Sequence, residues 1–222
     1  MYKIRINLVF LPDNKEILNI MHPYLKFTYD TKERFCSYWH QIDEVLKLNP
    51  GKVLEIGIGS RFMTGYLQEK GINIKTLDIL YDLRPDVVGS VISLPYMNAS
   101  FDVVTCYQVL EHLPYENFTA VIAELSRVSR CHVILSLPDS TTVYRVNIEL
   151  PRIKPLKKLI RHPFPRTTPL PHDSSHHWEI GKNQYPLKRI LGDIERSNFR
   201  IIKTYRVFEF HYHRFFILSK NE

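Results

Sequence analysis

The feature that most constrains the fold is a series of short apolar segments that alternate with helix-like segments between residues 53 and 138. There are five such segments: 53–58, 72–79, 86–95, 101–109 and 132–138. Strands that are largely apolar and joined through helices form a parallel sheet covered on both faces. The pattern therefore predicts a doubly wound α/β fold.

The segments outside this series complete the predicted sheet. Residues 31–48 have apolar side chains at helical spacing, and further helices are predicted after Pro114 and Pro186. Residues 199–210 and 214–220 are typical of two closing strands. We expect a seven-stranded, mostly parallel sheet with an antiparallel last strand and helices on both faces.

The 222 residues are expected to form a single domain. Its parts are an N-terminal helical cap (1–50), a core (51–138), a Pro-rich basic insertion or lid (139–183), and a final helix with two strands (184–222). The first fifteen residues are expected to form a peripheral strand. Six of the fourteen prolines fall between residues 151 and 171, which excludes a long regular element there.

Glycines concentrate at the first strand-to-helix turn, "VLEIGIGS" (53–60). Ligands of doubly wound folds bind at the carboxyl ends of the strands. Phe62 replaces the third glycine of a dinucleotide fingerprint, and the Gly-Lys-Ser/Thr of a phosphate loop is absent. The loop therefore suits a nucleoside. About twenty residues on, Asp78 follows the second strand, where a carboxylate can accept hydrogen bonds from both ribose hydroxyls.

Four motifs in order, "VLEIGIGS", "TLDI", "LPYMNASFDVV" and "QVLEHL", resemble those of the Rossmann-like (class I) S-adenosylmethionine-dependent methyltransferases, and of their type 11 branch in particular. In residues 50–140 the resemblance lies in these motifs, and in the rest of the chain it lies in the order of the predicted helices and strands. It implies S-adenosylmethionine as the cofactor and methyl transfer as the reaction.

The resemblance assigns roles to individual residues. Gly57 and Gly59 would let the backbone approach the cofactor, and Glu55 would hold the loop and the amino end of the cofactor. Ser90 stands where the family usually has an acid that contacts adenine, so the backbone at Val91 would contribute more. The residues implied to bind the cofactor are Glu55, Gly57, Gly59, Ser60, Asp78, Ile79, Ser90, Val91, Tyr107 and Gln108.

Methyl transfer from a sulfonium requires alignment, and a general base helps when the acceptor is a hydroxyl. The stretch "HDSSHHWEIG" (172–181) lies where the resemblance implies a loop that approaches the cofactor from the acceptor side. It offers His176 and His177 as bases, or both histidines could lie on the surface. His112, nearer to the predicted cofactor, is the third candidate.

Trp178 and the Glu111–His112 pair each have two interpretations, and Glu179 has one. Trp178 could line the pocket, or it could anchor the lid to the core. Glu179 could orient a histidine. Glu111 and His112 match the family's "EH" pair, and both could instead satisfy a helix N-terminus.

Some reactions are disfavoured by the absence of motifs. The sequence lacks the Asn/Asp-Pro-Pro-Tyr tetrapeptide that the family uses for nucleobase amines, and it lacks a Pro-Cys nucleophile. No Asp/His/Glu cluster suggests a metal-dependent, catechol-type enzyme, so no metal is expected.

The net charge of +7 comes from the last third, where residues 139–222 hold sixteen basic and eight acidic side chains. Within "PRIKPLKKLIRHPFPR" (151–166), a two-turn helix is predicted from Pro155. Its apolar face would hold Leu156, Leu159 and Ile160, and its basic face Lys157, Lys158 and Arg161. The segment suits either a lid with solvated charges or, through residues 152–166, contact with an anionic surface.

The sequence thus predicts methylation of a small-molecule or glycan/lipid-linked acceptor, anionic in character, at oxygen rather than nitrogen. RNA methylation is an alternative supported by the basic last third, but no RNA-binding module is evident and nucleic acid is not the expected partner. A non-catalytic cofactor-binding regulatory protein is the other alternative, because Ser90 replaces an acid. Three cysteines without metal spacing predict a reduced, cytoplasmic protein. The basic insertion adds the expectation that it is peripheral to the inner membrane surface. The oligomeric state is not encoded in any recognisable pattern.

Overall fold

The computed structural model describes residues 24, 26–164, 175–182 and 184–221. Its strands are β1 (Lys52–Ile56), β2 (Asn73–Asp78), β3 (Val87–Val88), β4 (Phe101–Tyr107), β5 (Ser129–Pro138), β6 (Val143–Ile148), β7 (Leu156–Arg161), β8 (Phe199–Arg206) and β9 (His213–Lys220). Its α-helices are α1 (Lys32–Lys47), α2 (Phe62–Glu69), α3 (Phe118–Val128) and α4 (Leu187–Glu195).

Seven strands form one sheet in the order β3-β2-β1-β4-β5-β9-β8. Strands β1 to β5 run parallel, and β9 lies antiparallel between β5 and β8. The predicted mostly parallel, seven-stranded sheet with an antiparallel last strand is confirmed. Because parallel strands end at the same edge, the loops after β1, β2 and β4 converge there.

Both faces of the sheet are buried. Along β1, Val53 packs with the apolar residues of α1 and α2, whereas Leu54 and Ile56 pack with those of α3 and α4. Each buried aliphatic side chain contributes ~1.5–3 kcal/mol of stability relative to exposure. The predicted placement of helices on both faces is also confirmed.

Thr31 is the N-cap of helix α1, and its hydroxyl accepts a hydrogen bond from the backbone N–H of Arg34 at 3.3 Å. The buried face of α1 includes Ile42 and Val45. Trp39, predicted on that face, is 59% exposed, because it lies next to the buried stripe instead of within it.

The third predicted strand, 86–95, is much shorter than expected. Only β3 pairs, and it pairs with the last two residues of β2. The backbone N–H of Gly89 then donates to the carbonyl of Asp78 at 2.9 Å, and the chain turns. The strand ends because its partner strand ends.

The helix predicted from Pro155 is wrong: residues 156–161 form β7, which pairs antiparallel with β6 from Ile148↔Leu156 to Val143↔Arg161. An isolated two-turn helix is costly to nucleate. Pairing with a segment rich in Val, Tyr and Ile satisfies the backbone of both halves instead. The basic segment is thus one strand of a hairpin, and its two strands form a separate small sheet.

Residues 1–15 and the 165–174 part of the insertion lie outside the described residues, so the peripheral strand and part of the lid stay predictions. The division into cap, core, insertion and closing elements also stays a prediction. Within the part of the chain that the structure describes, no helix is both long enough and apolar enough to span a membrane.

Candidate active site

A cavity of about 330 Å³ opens where β1, β2 and β4 end. All ten residues implied to bind the cofactor line it: Glu55, Gly57, Gly59, Ser60, Asp78, Ile79, Ser90, Val91, Tyr107 and Gln108. The volume lies within the range of small-molecule sites, about 300–1,000 Å³. The structure therefore brings this predicted set together in one place.

The glycine loop follows β1 directly. Gly57 has a φ of +77°, and its N–H donates to the carbonyl of Leu77 at 2.9 Å. A Cβ at Gly57 would lie 2.2 Å from Cγ2 of Val109, whereas one at Gly59 (φ +47°) would meet nothing within 4 Å. Close packing thus requires glycine at the first position, and backbone conformation favours it at both.

Asp78 ends β2 with a buried carboxylate that is held by the loops around it. Its Oδ2 accepts from the N–H of Ile58 at 2.8 Å, and its Oδ1 accepts from the N–H of Leu80 at 2.9 Å. A carboxylate oxygen can accept more than one hydrogen bond. The carboxylate of Asp78 is therefore held in place by these bonds, and it can still accept hydrogen bonds from ribose hydroxyls.

Glu55 lies on β1 and is 3% exposed. Burial raises the pKa of its carboxyl to about 8, while a hydrogen bond from the Thr64 hydroxyl partly opposes that rise. Near neutral pH this carboxyl is therefore protonated unless a cation approaches it. An ammonium group is such a cation.

Gln108 follows β4 in a left-handed conformation, with a φ of +55°. Its N–H donates to the carbonyl of Ser136 at 2.9 Å. With its amide oriented to suit its neighbours, Nε2 donates to Oε1 of Glu111 at 3.3 Å. Strained backbone of this kind is frequent at functional sites.

The end of the cavity at Ser90 and Val91, where the resemblance implies adenine, carries few polar groups. The Ser90 hydroxyl accepts from the N–H of Ile92 at 3.3 Å, and Val91 is buried.

Sequence reasoning missed the N-terminal wall of the cavity, which is formed by Tyr24, Tyr29, Arg34, Tyr38 and Gln41. The guanidinium of Arg34 lies 3.9 Å from the centre of the Tyr29 ring and donates to its hydroxyl at 3.0 Å. The sequence feature that could have indicated this wall is the concentration of aromatic residues just before α1 and within it.

A second missed residue, His213 at the start of β9, also lines the cavity. Its Nδ1 lies 2.8 Å from the Ser37 hydroxyl. Burial, with a smaller contribution from the nearby Arg34, lowers the pKa of this imidazole to about 3, so the ring is neutral.

The three candidate bases differ in position. His112 lines the cavity, and its Nδ1 donates to the carbonyl of Ser175 at 3.0 Å. Burial lowers the pKa of His112. Neither His176 nor His177 is among the described residues that line the cavity, although the His176 and His112 rings lie 4.8 Å apart. The side chain of His177 is exposed, and only its backbone N–H reaches the carbonyl of Glu111.

Glu179 holds the His176 ring, as expected for an orienting carboxylate. Its Oε1 accepts from Nδ1 of His176 at 2.9 Å and from the Tyr212 hydroxyl at 2.6 Å. Burial alone would raise its pKa, but hydrogen bonds from His176, Ser140 and Tyr212 lower it to about 2. Glu179 is therefore ionised.

Of the two interpretations of Trp178, the structure supports the anchor and not the pocket wall. Its side chain is fully buried and packs edge-on against Tyr115 and Phe118. Its Nε1 donates to the carbonyl of Leu113 at 3.1 Å. Trp178 anchors the segment that carries His176 to the core, which is the alternative interpretation.

The expectation that no Asp/His/Glu cluster exists is also wrong. Glu111, His112 and His176 each offer one ligand atom, and these atoms lie within 4.8 Å of one another. The cluster escaped notice because His176 is far from the other two in sequence. Only the folded path of the insertion brings it next to them.

In open, mostly parallel α/β sheets, ligands bind outside the carboxyl ends of the strands, which is where this cavity lies, beyond β1, β2 and β4. Residues 54–136, which span the glycine loop, Asp78 and the Glu111–His112 pair, match the family model described as "Methyltransferase domain". Residues 54–136 of this chain are therefore similar to methyltransferase domains.

Solved structures share this fold. A protein of Pyrococcus horikoshii has a TM-score of 0.58 at 15% identity, with 94% of this chain and 100% of that chain covered. The magnesium protoporphyrin IX methyltransferase of Synechocystis with bound S-adenosylhomocysteine has a TM-score of 0.57 at 17% identity, with 88% of each covered. The Burkholderia thailandensis 1,6-didemethyltoxoflavin-N1-methyltransferase, bound to 1,6-didemethyltoxoflavin and S-adenosylhomocysteine, has a TM-score of 0.55 at 14% identity, with 84% and 79% covered. A search of curated protein sequences yields no match to this chain.

Proposed function

We propose that the protein transfers a methyl group from S-adenosylmethionine to an oxygen of a small-molecule or glycan/lipid-linked, anionic acceptor. The observation that carries this proposal is the position of His112. Its imidazole lies on the wall of the same cavity that holds the glycine loop and Asp78. A base at that position serves a hydroxyl acceptor, which must lose a proton as it is methylated.

The lining residues support one orientation of the cofactor. Asp78 would bind the ribose, and Ser90 with Val91 would contact the adenine. Glu55, with Tyr107 and Gln108, would hold the methionine end. The methyl group would then point toward the part of the cavity that contains His112.

The reaction is a displacement at carbon. The acceptor oxygen bonds to the methyl carbon as the sulfur–methyl bond breaks, and S-adenosylhomocysteine is the leaving group. His112 would take the hydroxyl proton on Nε2, because its Nδ1 donates to Ser175. Tyr24 and Tyr29 on the wall would exclude water.

The anionic character of the acceptor has two supports. Arg34 lies on the cavity wall, and residues 139–222 have an excess of basic side chains. Two of the structural neighbours are named as methyltransferases of small molecules, a porphyrin and a toxoflavin precursor. A small acceptor is consistent with both.

A calorimetric titration with S-adenosylmethionine and S-adenosylhomocysteine tests the cofactor assignment. Asp78→Asn should weaken binding ~10- to 100-fold, because hydrogen bonds to a charged group are worth about 1.5–3 kcal/mol. Asp86→Asn is the matched control, since that carboxylate contacts Thr76 and does not line the cavity. Equal affinities of wild type and Asp78→Asn would contradict the ribose assignment.

Transfer of a labelled methyl group into pools of acceptors tests the acceptor class. We expect incorporation into acidic small molecules or lipid-linked saccharides, as a methoxy group, and a much lower rate for His112→Gln. Methylated RNA at near-physiological salt would refute this acceptor class. Cofactor binding with no methylation of any pool would favour a regulatory protein.

We further propose that the hairpin β6–β7 contacts the anionic inner surface of the membrane from the cytoplasm. Cross-strand pairs Tyr144↔Ile160 and Ile148↔Leu156 form an exposed apolar face. The exposed basic side chains nearby are Arg152, Lys154, Lys157, Lys158 and Arg161. Free cysteines support a reducing compartment.

Vesicle co-sedimentation tests this location. Binding to vesicles with anionic lipid should exceed binding to neutral ones. Lys154→Glu with Lys158→Glu should weaken it about tenfold or more, because each basic residue near an anionic surface is worth about 1 kcal/mol. Lys70→Glu with Arg200→Glu makes the same charge change outside the hairpin. Equal loss in both double variants would indicate a mere net-charge effect.

A further inference from the structure

Glu111, His112 and His176 form a compact group of potential metal ligands beside the cofactor cavity. One ligand atom from each lies within 4.8 Å of the others, so small side-chain adjustments bring all three to about 2.0–2.2 Å from one ion. Glu111 and His112 belong to the turn after β4, and His176 belongs to the segment that returns from the insertion. Trp178 and the His177 N–H bond to Glu111 fasten that segment in place.

Both histidines are held in the tautomer that metal ligands adopt. The Ser175 carbonyl can only accept, so Nδ1 of His112 carries the proton. The carboxylate of Glu179 likewise accepts from Nδ1 of His176 at 2.9 Å. Nε2 is therefore the unprotonated nitrogen of each ring. Metal-binding histidines almost always donate their other nitrogen in this way to a carboxylate or carbonyl.

Glu111 supplies the independent indication of a ligand. Its side chain is fully buried, and among the described residues Oε2 has no hydrogen-bond partner. Gln108 reaches only Oε1, at 3.3 Å. Buried carboxylate oxygens are normally satisfied by a donor or a cation. A cation between Glu111 and the two imidazoles would satisfy this one.

We propose that Glu111, His112 and His176 bind a divalent transition-metal ion of the Zn²⁺, Mn²⁺, Fe²⁺ or Co²⁺ class. Two imidazoles with one carboxylate suit these ions, whereas Mg²⁺ and Ca²⁺ prefer oxygen ligands. Three protein ligands leave coordination positions open, as in catalytic sites. His112 borders the cavity, so an open position can face the acceptor.

The role of this site in catalysis rests on the proposed function, although the binding of the ion does not. The metal-coordinated acceptor hydroxyl releases its proton to water, because coordination lowers its pKa. The resulting alkoxide then bonds to the methyl carbon as the sulfur–methyl bond breaks. While the ion is bound, Nε2 of His112 is a ligand atom, so the proton transfer to His112 proposed above belongs to the protein without the ion.

Titration of the chelator-treated, full-length chain with Co²⁺, followed by its visible ligand-field absorption, tests the site. We expect one Co²⁺ ion to bind per chain, and Zn²⁺ to displace it from the same site. His176→Asn and Glu111→Gln should abolish the absorption at that stoichiometry. His177→Asn, a change at the exposed neighbouring histidine, should leave it intact. Glu179→Gln should weaken Co²⁺ binding about 10- to 100-fold, because it removes the carboxylate that orients the ligand His176.

Two results would overturn the site: absence of stoichiometric Co²⁺ and Zn²⁺ binding by the wild type, or wild-type binding by His176→Asn. Retained affinity of His176→Asn for S-adenosylhomocysteine establishes that this variant is folded. Failure of the metal site therefore leaves the cofactor assignment standing. Failure of S-adenosylhomocysteine binding by the wild type would instead defeat the proposed function.

Discussion

Gly57 stands where β1 ends and the cofactor loop begins, with no room for a side chain. A Cβ there would lie 2.2 Å from Val109 Cγ2, and the φ of +77° is itself unfavourable for other residues. Gly57→Ala should destabilise the protein by about 1–3 kcal/mol, since strain and a clash add. It should also lower S-adenosylhomocysteine affinity. Urea unfolding and calorimetry measure the two effects.

Gly59→Ala is the matched control, because that residue also has positive φ but no neighbour within 4 Å of a Cβ. Its cost should be limited to about 1 kcal/mol of backbone strain. Adding Val109→Ala to Gly57→Ala should recover part of the stability by removing the contact. If both glycine variants lose equal stability and the double variant recovers none, the clash is not the cause.

Glu55 makes the stability of the unliganded protein depend on pH. Its pKa is raised from an ordinary value of 4.5 to about 8 by burial. Between these values the folded protein holds a proton that the unfolded chain lacks. Stability is therefore highest below pH 4.5 with respect to this group and falls as pH rises toward 8, with a slope of about 1 kcal/mol per pH unit.

Glu55→Gln should flatten this part of the profile, because glutamine has the same shape and does not ionise. Unfolding free energies at several pH values between 5 and 8 measure the difference. The difference in unfolding free energy between Glu55→Gln and wild type should shift in favour of the variant as the pH rises. A constant difference across that range would show that Glu55 does not hold the proton.

Among the elements, the hairpin β6–β7 leaves the rest of the molecule at a narrow neck and contacts it again where Lys157 pairs with Glu209. The N–H of His162 donates to the carbonyl of Thr142 at 3.0 Å, so the chain enters and leaves at one point. Most hairpin side chains are exposed. Replacing residues 143–161 by two glycines should change the unfolding free energy by no more than about 1 kcal/mol and leave S-adenosylhomocysteine affinity unchanged.

Vesicle binding should be lost in the same deletion, which separates the surface role of the hairpin from folding. Ile217→Pro in the central strand β9 is the contrast, because proline removes a hydrogen bond from a buried ladder. It should unfold the protein. Unfolding of the deletion variant would mean that the hairpin belongs to the core.

Elements with a strong internal pattern could be predicted from the sequence, as α1 shows: 31–48 was expected and Lys32–Lys47 is observed. The exceptions depend on a partner. Strand β3 stops where β2 stops, and the spacing of apolar residues in 156–161 suits a helix as well as a strand. Only the pairing with β6 decides between them.

The candidate site likewise contains residues whose proximity could be predicted from the sequence and residues whose proximity could not. The glycine loop and Asp78 could be predicted together because both follow neighbouring parallel strands, whose ends must meet. The proximity of His112 and His176 could not, since it depends on the path of an irregular insertion. The same holds for Arg34 and His213, which reach the cavity from opposite ends of the chain.

At the scale of the whole molecule, the cavity joins parts that are distant in sequence. Its wall takes Arg34 from α1, Asp78 from β2, Tyr107 from β4 and His213 from β9. A ligand bound there contacts both the sheet and the N-terminal segment. It should therefore reduce local opening of both, because opening of either would cost the contacts with the ligand.

Hydrogen–deuterium exchange with and without S-adenosylhomocysteine tests this coupling. Saturating ligand, at about 100 times Kd, adds ~2.7 kcal/mol of stability and should slow exchange in residues 55–60 and 77–80. Residues 29–41 should be protected as well, since Tyr29, Arg34 and Tyr38 line the same cavity. The hairpin 143–161 serves as the internal control and should not change. Protection confined to 55–60 and 77–80 would show that the N-terminal segment does not close over the cofactor, and the acceptor would then enter from that side.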